Sequence, residues 1–178
     1  MASQIITATA AAMLLSSCTS LSQPGHYQPE PAALQDAVDC STAVGGSSGP
    51  SDPSTGRKGR VPEGFIPVDA VLCTWSQQVS PSTGTTTIKP VVTSELLSGD
   101  YTSLLAALAE PSDRAHNVSC LDYAELVPEL WLVNAGGQAI NVQWPMDGCE
   151  HSKPDTAKAL AWLTATDSTT LVGKTNPW

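Results

Sequence analysis

The run Leu130-Trp131-Leu132-Val133-Asn134-Ala135-Gly136-Gly137-Gln138-Ala139-Ile140-Asn141-Val142-Gln143-Trp144 decides the fold. Two apolar, β-prone stretches, Leu130 to Val133 and Ala139 to Trp144, flank Asn134 to Gln138, a segment rich in residues that enter turns at little steric cost. An antiparallel hairpin is the expected product. Upstream, Val71, Cys73, Trp75 and Val79 fall on one face of a strand, which turns at Ser80-Pro81-Ser82-Thr83-Gly84. Thr85 to Thr93 is β-branched throughout except at Lys89 and Pro90, and reads as its partner. Pro90, which has no N–H to give a ladder, confines that strand to an edge or a bulge.

Between these pairs, Asp100 is placed to cap a helix in which Tyr101, Leu104, Leu105 and Leu108 recur at helical spacing, with Pro111 ending it. After the hairpin, Ser152 or Asp155 starts a second helix carrying Ala157, Leu160, Ala161 and Leu163. Thr169 to Val172 is a last short strand. The order is β-β-α-β-β-α-β. It predicts an α+β fold over residues 65–178, with two helices packed on an antiparallel sheet of four to five strands.

Composition bounds the function classes. Of 178 residues, 14% are charged, and seventeen acids against eight bases leave a net charge of -9. Nucleic-acid affinity rests on Lys and Arg neutralising phosphates, so a nucleic-acid partner is not expected. No apolar run reaches the 18 or so residues of a spanning helix.

Residues 1–17 carry no charged side chain, and Ile5 to Leu15 form an apolar stretch of signal-peptide length. Leu15-Ser16-Ser17-Cys18 is similar to a bacterial lipobox, in which small residues admit the peptidase and the cysteine thiol takes the lipid. This implies lipidation at Cys18 and a location on the outer face of the cell membrane, with the lipid as membrane anchor. Four further cysteines remain: Cys40, Cys73, Cys120 and Cys149. An even number in an exported chain predicts two disulfides among three possible connectivities. No CxxC spacing supports a zinc or thioredoxin-type site.

Residues 18–64 read as a tether. Thirteen of the 22 residues from Ala43 to Gly64 are Gly, Ser or Pro, too little apolar surface to offset the entropy of ordering. Within it, Leu34 to Cys40 is expected as a short helical turn, and Arg57, Lys58 and Arg60 as solvated charge.

Catalytic constellations are weak. Gly45-Gly46-Ser47-Ser48-Gly49 has the letters of a nucleophile elbow but lies in linker sequence, without the strand and helix that chemistry needs. His26, His116 and His151 are scattered, and Cys149-Glu150-His151 reads as a loop rather than a metal clasp. No cofactor or metal is expected. Trp75, Trp131 and Trp144 sit within strands, leaving Trp178 as the tryptophan expected to be exposed.

Several segments taken together resemble a set of small secreted actinobacterial lipoproteins that carry no assigned activity. These are the lipobox, the tether, Arg60 to Val68 leading into Val71-Leu72-Cys73, and Leu132 to Gly137 followed by Trp144 to Cys149. A fainter resemblance is to the subtilisin-inhibitor-like proteins, which place one cysteine before such a hairpin and another after it and pair the two. That resemblance implies an inhibitor-type loop at Leu121, Asp122 and Tyr123, with Asp122 as the residue entering a protease pocket. Hairpin geometry and this layout together favour Cys120–Cys149 and Cys40–Cys73. Cys73–Cys120 with Cys40–Cys149 is the alternative. The leading expectation is a non-enzymatic, lipid-anchored binding or scaffolding domain for another envelope or secreted protein, and the alternative is a cell-surface protease inhibitor.

Overall fold

A computed structural model describes residues 25–41, 58–82, 85–114, 119–121, 123 and 125–172. Among them the elements are β1 (His26–Tyr27), β2 (Pro67–Ser82), β3 (Thr85–Ser98), α1 (Thr102–Leu108), β4 (Ser112–Asp113), β5 (Glu129–Asn134), β6 (Ala139–Val142), α2 (Pro154–Leu160) and β7 (Thr164–Val172). The fold is α+β. Five strands form one antiparallel sheet in the order β6-β5-β2-β3-β7, while β1 and β4 form a separate two-stranded ribbon. Without that ribbon the elements follow the expected β-β-α-β-β-α-β order.

The β5–β6 turn works as its residues dictate. The Asn134 side-chain oxygen accepts the N–H groups of Gly136 at 2.9 Å and Gln138 at 3.0 Å. Gly137 takes φ +77, where a Cβ would be strained. Leu130 then faces Val142 across the ladder, and Leu132 faces Ile140. Strands β2 and β3 are longer than the sequence pattern indicates and outrun their neighbours. β5 pairs with β2 only as far as Cys73, and β7 pairs with β3 only from Val91. Pro90 therefore sits one residue beyond the described pairing with β7, and among the described residues no outer strand faces the position where it lacks an N–H. The remainder projects as a two-stranded arm with Val79 opposite Ile88, both exposed.

Alternation along the strands produces two buried faces. One gathers Ala70, Leu97, Leu130, Leu132, Ile140 and Val142 beneath Leu104, Ala107 and Leu108 of α1 and Ala159 of α2. Asp100 supports α1 by accepting both the N–H and the hydroxyl of Thr102, at 2.9 and 2.6 Å. These bonds hold its carboxyl below the usual range. Pro154 opens α2 at a position where its missing N–H costs nothing. The opposite face carries Cys73, Val92, Trp131 and Ala139, and Cys40 packs onto it.

That packing corrects the expected boundary at residue 65. Residues 25–41 and 58–64, read from composition as tether, are built into the domain. Gln35 and Ala139 exchange both backbone hydrogen bonds at 2.8 Å, so Leu34 to Cys40 is not a helical turn; only Cys40 and Ser41 curl. Gly59 donates to the Asn141 carbonyl and accepts from the Gln143 N–H, while Arg60 pairs with Glu30 and Ala32. Lys58 is not free linker charge either: its ammonium lies 2.9 Å from the carboxylate of buried Glu129. This strap seals the outer edge of β6, and all four β6 residues are buried as a result. The remainder of the expected tether lies outside the described residues.

A disulfide joins Cys40 to Cys73, with Cα atoms 5.5 Å apart, and pins the strap to the middle of β2. At Gly59 a Cβ would stand 2.5 Å from the Ala32 nitrogen and 2.8 Å from its Cα, so the two strap segments cross only because there is no side chain there. Gly59→Ala is expected to cost about 1–3 kcal/mol in chemical denaturation. Replacing Cys40 and Cys73 with Ser, which opens a loop of 33 residues, is expected to cost roughly 3.7 kcal/mol by chain entropy. In both variants the β6 amides should lose hydrogen-exchange protection before those of β5.

Candidate functional site: a braced apolar loop

The second disulfide, Cys120–Cys149, has the same Cα separation of 5.5 Å. It forces the chain around Cys120 to lie against the turn that follows the hairpin. That turn is organised by Asp147. Its Oδ1 accepts the N–H groups of Cys149 and His151 at 2.8 and 2.9 Å, and its backbone N–H donates to the His151 carbonyl at 2.7 Å. Glu150 adopts φ 63 within it, a left-handed conformation unusual for a residue with a side chain.

From this platform three contacts reach the loop. The Tyr123 ring stacks on the His151 imidazole with centroids 4.2 Å apart and planes within 6°. His151 Nε2 donates to the Tyr123 carbonyl at 3.3 Å, which assigns the proton to that nitrogen because a carbonyl only accepts. Ser152 donates its N–H and its hydroxyl to the two oxygens of the Glu125 carboxylate, at 2.6 and 2.5 Å. A further backbone bond runs from the Tyr123 N–H to the Leu121 carbonyl at 3.0 Å.

The loop so held displays apolar surface. Leu121 is 77% exposed, Leu126 70% and Tyr123 58%. Three large apolar side chains within six residues, on backbone tied down by a covalent bond and four polar contacts, contrast with the scattered single apolars normal on a surface. Of the expected inhibitor-type residues, the structure places Leu121 and Tyr123 on this loop, while Asp122 lies outside the described residues. So do Cys18, His116, Trp178 and the Gly45–Gly49 motif. Sequence reasoning missed Glu125, Leu126 and Ser152, and took His151 for a solvated loop residue. The signal was available in the cysteines: once Cys120 and Cys149 are joined, the residues flanking each must meet. Trp131 and Trp144 are core as expected, whereas Trp162 is 85% exposed.

A second cluster lies on the β1–β4 ribbon. Asp113 accepts hydrogen bonds from Lys153 Nζ at 2.9 Å and His26 Nδ1 at 2.7 Å, and Lys153 also donates to the Pro111 carbonyl. The Lys153 hydrogen bond, reinforced by His26, holds the Asp113 carboxyl below its ordinary range despite some desolvation. A histidine oriented by a carboxylate is half of a nucleophilic triad. Among the described residues, however, no serine, threonine or cysteine side chain hydrogen-bonds to a histidine, and no three metal-ligating side chains cluster. Because the Asp113 pKa is lower folded than unfolded, its contribution to stability is present above about pH 4 and is lost as pH falls through the folded value. The parent should therefore melt above Asp113→Asn near pH 6, and the two melting temperatures should converge as the pH falls through the folded value.

No family model matches the chain, and no curated protein or solved structure does either.

Proposed function

We propose that the chain is a lipid-anchored extracytoplasmic binding domain whose recognition element is the surface of Leu121, Tyr123 and Leu126. The observation that carries this reading is the pairing of exposure with rigidity. Leu121, Tyr123 and Leu126 are solvent-facing, yet the backbone beneath them is fixed by the Cys120–Cys149 bridge, the Tyr123–His151 stack and the Glu125–Ser152 bonds. A loop ordered before it meets its partner loses less conformational entropy on binding, so more of its apolar burial appears as affinity. Aromatic anchors of this kind dominate protein interfaces. Two disulfides fit an oxidising compartment, and the lipobox supplies the anchor.

The second reading, a protease inhibitor, is favoured by exposed Leu121 and Tyr123 lying beside a disulfide with the Tyr123 carbonyl held. An inhibitor presents a loop that a protease binds as substrate yet cannot distort freely, and this bracing would provide that resistance. The readings separate in an assay against subtilisin and trypsin. Stoichiometric inhibition abolished by changing Asp122 makes the chain an inhibitor; its absence leaves the scaffold reading.

For the binding surface, a photo-crosslinking side chain placed at Leu121 should yield a discrete crosslinked protein in intact cells. The same probe at exposed Ser168 on β7 should not. Replacing Tyr123 with Ala should weaken that crosslinking by about tenfold or more, in line with the loss of an aromatic anchor. Equal crosslinking from both positions would remove the loop from consideration. The anchor is tested separately: Cys18→Ser is expected to leave the precursor unprocessed or release the protein from membranes, read by fractionation and N-terminal mass. Two acyl chains give stable anchoring where one is marginal.

A further inference from the structure

Where the strap crosses the domain, a cleft of about 270 Å³ opens between Arg60, Phe65, the last turn of α1 and the chain leaving β6. This is close to the lower limit of small-molecule sites, about 300 Å³. Its apolar walls include Phe65, Leu105 and Leu108. In a site this small and apolar, the few polar groups that line it decide what enters.

Those groups have hydrogen bonds left to give. The Arg60 backbone is fully engaged, its N–H on the Glu30 carbonyl at 3.0 Å and its own carbonyl accepting from Ala32 at 2.9 Å. Its half-buried guanidinium has no hydrogen bond or ion pair among the described residues. The hydroxyl oxygen of buried Ser112 accepts the Met146 N–H at 3.0 Å, and its own proton meets no acceptor among the described residues. The Gln143 side-chain amide is likewise unbonded among them. Glu110 also borders the cleft, but its carboxyl is directed to Asp155 of α2, in a separate groove where Lys158 pairs with Asp155 at 2.7 Å. The cleft is left with one cation, two neutral donors and apolar walls. A guanidinium with no acceptor favours a carboxylate, which it can hold bidentately. One positive charge balances one negative charge, so a doubly charged phosphate would bring an unpaired charge into an apolar site.

We propose that this cleft binds an apolar monocarboxylate, with its carboxylate on Arg60 and its hydrocarbon body against Phe65, Leu105 and Leu108. The cleft shares no residue with the loop of Leu121 and Tyr123, so the two proposals stand independently.

The full chain titrated by isothermal calorimetry with hexanoate, N-acetyl-leucine, the amides of both acids, and hexylammonium tests this directly. Hexanoate carries the carboxylate on a plain hydrocarbon, and N-acetyl-leucine carries it as a peptide end does. At least one of them should bind saturably, and the tighter of the two names the source of the carboxylate. Each amide keeps the body of its acid without the charge and should bind about tenfold more weakly. Hexylammonium, with the charge reversed, should bind more weakly still. Arg60→Gln should bring the acid down to the level of its amide and leave the amide unchanged, whereas Phe65→Ala should weaken both by a similar factor. Both variants are to be compared with the parent by melting temperature, and the ligand series needs no variant at all. No saturable binding of either acid at about ten millimolar, or an amide or hexylammonium binding as tightly as the acids, would overturn the proposal. So would parental binding of the acid by Arg60→Gln.

Discussion

A sheet that buries side chains on both faces needs two covers, and two helices of seven residues supply one. The strap from residue 25 to 41, returning at 58–64, is divided between the two: Ala32 and Val61 join the helix side, and Val38 and Cys40 cover the other. Everything distinctive in the architecture follows from that division. The helices take the face of Leu130, Leu132, Ile140 and Val142. Only the end of the strap, Val38 and Cys40, takes the face of Cys73, Trp131 and Ala139, and it is held there by a covalent bond where the apolar contact alone is thin. The same strap satisfies the backbone groups on the outer side of β6 through Gln35 and Gly59. An unpaired edge of apolar residues would otherwise be a template for association.

The opposite end of the sheet is managed differently. β7 carries Thr164, Thr166, Asp167, Ser168, Thr169 and Thr170, exposed and polar, and no strand among the described residues pairs with its outer edge. An edge of small polar residues needs no cover, because little apolar surface is at stake. The two edges thus show two solutions to one problem, one by occlusion and one by composition.

Much of this was legible in the residues. The Asn134–Gln138 turn, the strand pair around Trp75 and Val92, the helix after Asp100 and the order of elements all follow from local period and turn chemistry, which do not depend on distant parts of the chain. The strap was not legible, because its placement rests on a few backbone bonds and on Cys40. Gly, Ser and Pro content reports how little a segment can bury by itself; it is silent on whether another segment will hydrogen-bond to it. Gly59 shows the difference well. In composition it counts toward flexibility, whereas in the structure it is the residue that permits Glu30 and Ala32 to pass. The loop at Leu121 and Tyr123 was visible through its cysteine and its resemblance. Its bracing by Ser152 and His151 was not, since those residues lie far along the chain from it and meet it only through the Cys120–Cys149 bridge.

The pairing of Gln35 with Ala139 has a consequence for how the protein is made. The two residues are about a hundred positions apart, a separation that belongs to slow, non-local folding steps. During synthesis the strap emerges early, and its docking site on β6 is among the later parts to appear. Until the hairpin is complete, the chain exposes the bare face of Trp131 and an unsealed strand, surfaces on which partly folded chains aggregate. A chain built this way gains from being kept extended until its last strands are available. The strap is then the last segment to lock.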